Sequence, residues 1–258
     1  MIYITGDTHA NFAKRFSTTY FAEQKSLTRD DIVIVCGDFG IWHDCPNERY
    51  WLDWLDSKSF TTCFCDGNHE NFDRLYSDEF PVVDFHGGKA QKIRNNIYHL
   101  LRGEIYDFES KKFFIMGGAS SHDIQDGILD LENFTSEQAF KESYNRMCRQ
   151  NKMFRVNHYS WWKEEMPSNE EFERAIRNLE SVDFKVDYIV THSAPQSIVL
   201  NALGYDDSDK VTEFLQDVKQ RCEFKHWFFG HYHRNLDIGD KFTCLYEKIY
   251  QIGGEAWL

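Results

Sequence analysis

Near its C-terminal end the chain reads GHYH, placing His231 and His233 next but one to each other just past a glycine. In an extended segment residues i and i+2 face the same side, so two neutral imidazoles there could bind metal. Groups of matching chemistry stand far upstream. They are Asp7 and His9 in GDTH, Asp38 in GDFG, Asn68 and His69 in GNHE, and His192 in THS. Carboxylate oxygens and imidazoles suit borderline to hard divalent ions such as Mn²⁺, Fe²⁺ and Zn²⁺. No cysteine lies in the set, which argues against a structural thiolate zinc site. A divalent ion held by such a set would lower the pKa of a bound water.

Taken singly, each fragment is weak, since a D-x-H triplet or an H-x-H pair is common by chance. Their shared position is what counts. Asp7 follows the apolar run IYIT, Asp38 follows DIVIVCG, Asn68 follows FTTCFCDG, His192 follows DYIVT, and His231 follows HWFFG. Ligands of α/β sheets bind outside the carboxyl ends of strands, so five strand ends could deliver these groups to one place. Glycines directly before Asp7, Asp38, Asn68 and His231 permit tight turns and close backbone approach.

The elements that must position them alternate. Strands are expected at 2–5, 31–37 and 60–68, with helices over 10–24 and 46–58, the latter carrying Pro46 in its first turn. From 81 to 116 short strands follow one another, with a hairpin at Glu109-Ser110-Lys111, so antiparallel or mixed pairing joins the βα units. Residues of about 119–182 read as a mostly helical insertion with a capping box from Ser168 to Glu171. Strands resume at 186–193, a helix spans 209–222, KHWFFG is a strand, and KFTCLYEKIYQIGG closes with one or two more. The fold class is α/β, in one domain over 1–258.

In this order, GDTH, GDFG, GNHE, THS and GHYH resemble the blocks of the calcineurin-like metallophosphoesterases, over Gly6 to His233. The resemblance implies a four-layer α/β-β/α sandwich of two mixed sheets flanked by helices, with two divalent metal ions at one edge. Mn²⁺ is the leading choice, with Fe²⁺, Zn²⁺, Ni²⁺ or Mg²⁺ as alternatives. By the family pattern Asp7, His9, Asp38 and His233 would hold one ion, and Asp38 would bridge to a second held by Asn68, His192 and His231. Asp38 and His69 would then be the catalytic pair, His69 as general acid toward the leaving oxygen. The implied reaction is hydrolysis of phosphate mono- or diesters by the bridging hydroxide.

One block departs from the family. Many of its phosphatases carry GD-x-x-DR, whereas Ile41 and Trp42 stand here where Asp and Arg would be. That leaves the partner of His69 open, with Glu70 a candidate by proximity, and makes a protein phosphatase a poorer match. The stretch around SWW resembles small bacterial and phage members in which an Arg lies a few residues earlier, which makes Arg155 a substrate-contact candidate. His43 and His122 are weaker candidates, and Trp161 and Trp162 are expected to pack rather than stack on a base. The rival class is a catalytically weak scaffold of the same fold that binds a protein partner.

Bulk properties narrow the rest. A net charge of −13 disfavours extended nucleic-acid binding, which rests on clustered Lys and Arg, so a small or nucleotide-like phosphoester is the expected substrate. Seven cysteines without a C-x-x-C pair fit buried, reduced thiols and a cytoplasmic setting. No apolar run approaches membrane-spanning length, and no signal peptide is apparent.

Overall fold

The first three strands are apolar or hydroxyl-bearing and buried at every position: β1 (Ile2–Thr5), β2 (Ile32–Cys36) and β3 (Thr61–Cys65). Such strands need cover on both faces. The computed structural model describes residues 1–206 and 208–254, so the span expected for the domain is described except at Asp207 and the last four positions. The chain continues through β4 (Val82–Phe85), β5 (Gly88–Arg94) and β6 (Ile97–Leu100). Next come β7 (Ile105–Phe108), β8 (Lys111–Met116), and the two-residue strands β9 (Ile128–Leu129) and β10 (Arg155–Val156). Last come β11 (Tyr188–Thr191), β12 (His226–Phe229), β13 (Leu236–Ile238), β14 (Phe242–Cys244) and β15 (Ile249–Gln251).

Two large mixed sheets result. One runs β15-β1-β2-β3-β6-β5-β4, the other β13-β14-β12-β11-β8-β7. In each, the central strands are parallel: β1, β2, β3 and β6 in the first, and β14, β12, β11 and β8 in the second. The outer strands pair antiparallel.

Alternation along each strand divides the apolar residues among three cores. Ile32, Ile34, Cys36, Cys63 and Cys65 of the first sheet meet Phe113, Ile115, Val190 and Phe228 of the second. The opposite face of the first sheet, with Tyr3, Val33, Val35 and Phe64, packs on the helices Phe12–Phe16 and Pro46–Asp56. The opposite face of the second, with Phe114, Ile189, Trp227 and Phe229, packs on the helices Asn169–Ser181 and Lys210–Arg221. Helix, sheet, sheet and helix are the four layers expected.

Local differences from expectation have local causes. The 10–24 helix is confined to Phe12–Phe16, because Ser17-Thr18-Thr19 offers hydroxyl and β-branched residues that compete with helical bonding. A short 3₁₀ turn, Ala22–Ser26, follows. The strand β5 carries Lys, Gln and Arg, which hid it among turn residues. Among the described residues, β14 and β15 are the strands expected in KFTCLYEKIYQIGG, and β13, a short antiparallel partner of β14, precedes them unexpected. Residues 119–182 are less helical than expected. They hold two helices, Glu137–Arg149 and Asn169–Ser181; the irregular chain between them carries β10, which pairs with β9 from the stretch before the first helix. The Gly/Ser/Asp-rich start of that segment favours turns. The capping box at Ser168 and Glu171 is formed, and Pro46 opens its helix. Glu109 and Ser110 both lie at positive φ, 53° and 60°, making the two-residue turn between β7 and β8. Cys36, Cys63, Cys65 and Cys244 are buried, but Cys45 and Cys148 are exposed. The Cys45 Sγ accepts from the Glu48 N–H at the start of its helix.

Candidate metal centre

The parallel strands of both sheets end at one rim. Asp7, Asp38 and Asn68 leave β1, β2 and β3; His192 and the pair His231 and His233 leave β11 and β12. The sheets approach closely enough for hydrogen bonds across the rim. The His231 N–H donates to Asp7 Oδ1 at 3.0 Å, and His192 Nδ1 lies 2.7 Å from the Cys36 carbonyl. Two glycines make this approach possible. A Cβ on Gly37, which sits at φ 89°, would collide with the His192 ring, and one on Gly230 would collide with the Asp7 carboxylate. His9, Asp38, His231 and His233 themselves take positive φ, from 44° to 66°. That region is sparsely used by non-glycine residues.

Donor atoms of Asp7, His9, Asp38 and His233 all lie within 4.8 Å of one another. His9 Nε2 and His233 Nε2 face each other at 3.0 Å, and His233 Nε2 is 3.2 Å from Asp7 Oδ2. Two carboxylates and two imidazoles aimed at one point fit a divalent cation. A looser second group adjoins it. His192 Nε2 lies 3.5 Å from Asp38 Oδ1 and 3.2 Å from Asn68 Oδ1. His231 meets His192 edge to face, with ring centres 4.9 Å apart, but its Nε2 meets His122 Nε2 at 2.8 Å. So the structure gathers all seven expected ligand residues at the rim, while the His231 ring spends one nitrogen on His122.

Electrostatics follow from burial and neighbours. Burial alone would raise the Asp38 carboxyl, but the imidazoles of His192, His69, His9 and His231 outweigh it and hold it below the ordinary range. Burial, with His192 beside it, drives His231 far down, so its ring stays neutral and able to ligate. The hydrogen bond to Asp7 raises His233.

His69 stands beside this group. Its backbone N–H donates to Asp38 Oδ1 at 3.0 Å, and its Nε2 is 3.9 Å from Asp38 Oδ2 and 3.4 Å from Arg155 Nη2. Arg155 reaches the rim from the insertion, gripped by Asp123 at 2.8 Å through Nε and by the Ser160 carbonyl at 3.2 Å. Burial first, then the Arg155 charge, lower the His69 pKa against the pull of Asp38. Glu70 is not the partner of His69. It is buried beneath the loop and accepts from the Gly67 N–H at 2.7 Å and from the Phe39 N–H, tying the second block to the third. Burial, aggravated by nearby Asp38, pushes its carboxyl well up. Ile41 is wholly buried in the outer core, whereas Trp42 keeps 36% of its surface exposed and donates from its indole to the His69 carbonyl at 2.8 Å. His43 stacks on Tyr159, and Trp162 packs in the outer core with its indole N–H on Asp73 at 2.7 Å.

Several supporting residues carried no sequence signal strong enough to single them out. Asp66, one residue before Gly67, is buried with Arg102 at 2.8 Å and His99 at 3.1 Å, and Arg102 above all keeps its carboxyl ionised against burial. A charged residue inside the apolar run FTTCFCD was the available clue. The buried Arg15 donates to Thr5 Oγ1 and to the carbonyls of Gly6 and Asp7, fixing the first loop. Asn68 Nδ2 donates to Ser121 Oγ at 3.2 Å, and Ser121 donates to Glu165 Oε2 at 2.6 Å. This chain of bonds leaves the amide oxygen of Asn68 facing His192. Consecutive residues, Ser121 and His122, thus each hold one expected ligand.

The sequence profile of the calcineurin-like phosphoesterases matches residues 1–235. Among solved structures, a phosphopantetheinyl hydrolase from Mycobacterium tuberculosis is similar over 95% of this chain and 89% of its own, at 19% identity and a TM-score of 0.40. No curated protein is a match for the chain. Among the described residues, no helix is long and apolar enough to cross a membrane.

Proposed function

The chain belongs to the calcineurin-like phosphoesterase family, and on that premise we propose that it hydrolyses phosphate mono- or diesters with two divalent cations, Mn²⁺ foremost. Asp7, His9, Asp38 and His233 would hold one ion; Asp38, Asn68, His192 and His231 would hold the other. The observation that carries this reading is the Asp38 carboxylate. Its Oδ2 faces His9 at 3.8 Å, while its Oδ1 faces His192 at 3.5 Å, one oxygen toward each group. Bound there, the cations would supply Lewis acidity toward water and the phosphoryl oxygens.

The remaining roles fall to the chain's own groups. His69 would donate a proton to the leaving oxygen. Its lowered pKa makes it the stronger acid once charged, and leaves fewer molecules charged at neutral pH. Arg155, next to His69, would meet the anionic ester, its position fixed by Asp123. The insertion would serve the same domain as a cover rather than act as a unit of its own. Substrates would be small or nucleotide-like, in a cytoplasmic protein.

The test is hydrolysis of bis-p-nitrophenyl and p-nitrophenyl phosphate with added Mn²⁺, with Asp38→Ala as control and metal content read by elemental analysis. Turnover of either ester that Asp38→Ala abolishes is the expected result. Metal bound without turnover of any ester would point instead to a scaffold for a protein partner.

A further inference from the structure

We propose that the cavity beside His69 is a subsite for a planar aromatic ring carried by the leaving alcohol, with Trp42 and Tyr159 as its walls. This deepens the phosphoesterase reading and rests on it. The cavity measures about 250 Å³. Its polar lining includes His9, His69 and Arg155; the rings of Trp42, His43 and Tyr159 supply flat surfaces, and no carboxylate lines it.

The location follows from the chemistry. A proton donor must reach the leaving oxygen, so whatever that oxygen carries occupies space bordered by His69. The larger cavity of about 500 Å³ near His9 is bordered by Lys14, Arg15 and Tyr20 but not by His69, so it does not take the leaving group.

The walls are exposed and already oriented. Tyr159 keeps 60% of its surface exposed, and Trp42 36%. Trp42 is fixed at both ends. Its backbone N–H donates to Glu48 Oε2 at 2.7 Å, and its indole N–H donates to the His69 carbonyl. Tyr159 is held by stacking on His43, with ring centres 4.9 Å apart and planes 17° from parallel. Rings held this way stack a flat partner with little ordering cost, and they tolerate many ring identities because every base or aryl group has a π face. Trp162 also borders the cavity, but it is only 3% exposed and its indole N–H is tied to Asp73, so it is not taken as a stacking wall. Trp42 thus gives this wall an aromatic surface, while Arg155 brings a cation to it from the insertion.

The experiment titrates metal-free protein with adenosine, uridine and p-nitrophenol, with ribose as the ringless control, followed by ligand-observed NMR. The ring compounds are expected to bind saturably and ribose not to bind. Comparing the nucleosides with p-nitrophenol separates a base-sized ring from a simple aryl group. Tyr159→Ala and Trp42→Leu should each weaken binding about tenfold, and Trp42→Phe should restore most of it. Ring and ribose binding alike, or ring binding indifferent to both substitutions, would overturn the subsite. Turnover of bis-p-nitrophenyl phosphate with Mn²⁺ is measured alongside. Turnover without ring binding removes the subsite and leaves the phosphoesterase reading standing. Metal-loaded protein that hydrolyses no ester removes the phosphoesterase reading, and the subsite built on it.

Discussion

At the rim, each expected ligand leaves the end of a parallel strand whose sides are buried in two cores, so its backbone has little room to move. In the insertion, Ser121, His122, Arg155, Tyr159 and Glu165 come from loops and short pieces joined by side-chain bonds. Asp38 and His192 keep 2% and 0% of their surface; Tyr159 keeps 60%. The strands place groups that must meet within a few ångströms, whereas the loops place groups that steady those ligands or face the substrate. On the proposed reading, chemistry would rest on the strand ends and selectivity on the exposed loops of the insertion.

The sharpest way to break this contrast is at the shared carboxylate. Asp38→Ala should remove both ions and lower kcat/KM by at least ~10³, checked by elemental analysis beside ester turnover. Retained metal at both positions would show that the rim does not depend on this strand end. Next in size, His69→Ala should keep both metals yet lose about 10²–10³ in kcat for esters with poor leaving groups. Equal losses for activated and poor leaving groups would end its role as acid. Asp66→Asn leaves the buried Arg102 charge with only the Glu171 carboxylate, at 3.3 Å, as counter-ion and should cost about 3 kcal/mol of stability, read by urea unfolding.

Smaller effects belong to the insertion. Ser121→Ala or His122→Ala should weaken metal binding about 10–100-fold without unfolding the sheets, as measured by competition with a chelator. The smallest concerns Glu165, whose carboxyl burial pushes up to about 7 from 4.5. Its folded-state pKa exceeds the unfolded one, so its contribution is fully present below about 4.5 and is lost as the pH rises through about 7. Metal-free wild-type protein should therefore lose about 1–3 kcal/mol relative to Glu165→Gln between roughly pH 5 and pH 8, seen in Tm. A constant difference across that range would mean the carboxyl titrates normally.

The same contrast explains how much could be read from the sequence. The rim was legible because strand, glycine and ligand are adjacent in the chain, as in DIVIVCGD, and because buried parallel strands announce themselves by unbroken apolarity. The insertion was not, because its working contacts are between residues far apart in sequence. Ser121 meets Glu165 across 44 positions, and His122 meets His231 across 109. No local period encodes such pairs. Glu70 shows the converse. Adjacency to His69 suggested partnership, but side chains at successive positions of the loop turn different ways, and Glu70 went beneath it to satisfy backbone N–H groups.

The left-handed backbone at His9, Asp38, His231 and His233 has a cost outside the reaction. Each such residue holds of order 1 kcal/mol that glycine would release. Laboratory evolution for heat resistance alone, without an ester to act on, would therefore have gains open to it at these four positions, as at left-handed residues away from the rim such as Phe184. The hardiest descendants would be those that had forgotten how to hold a cation.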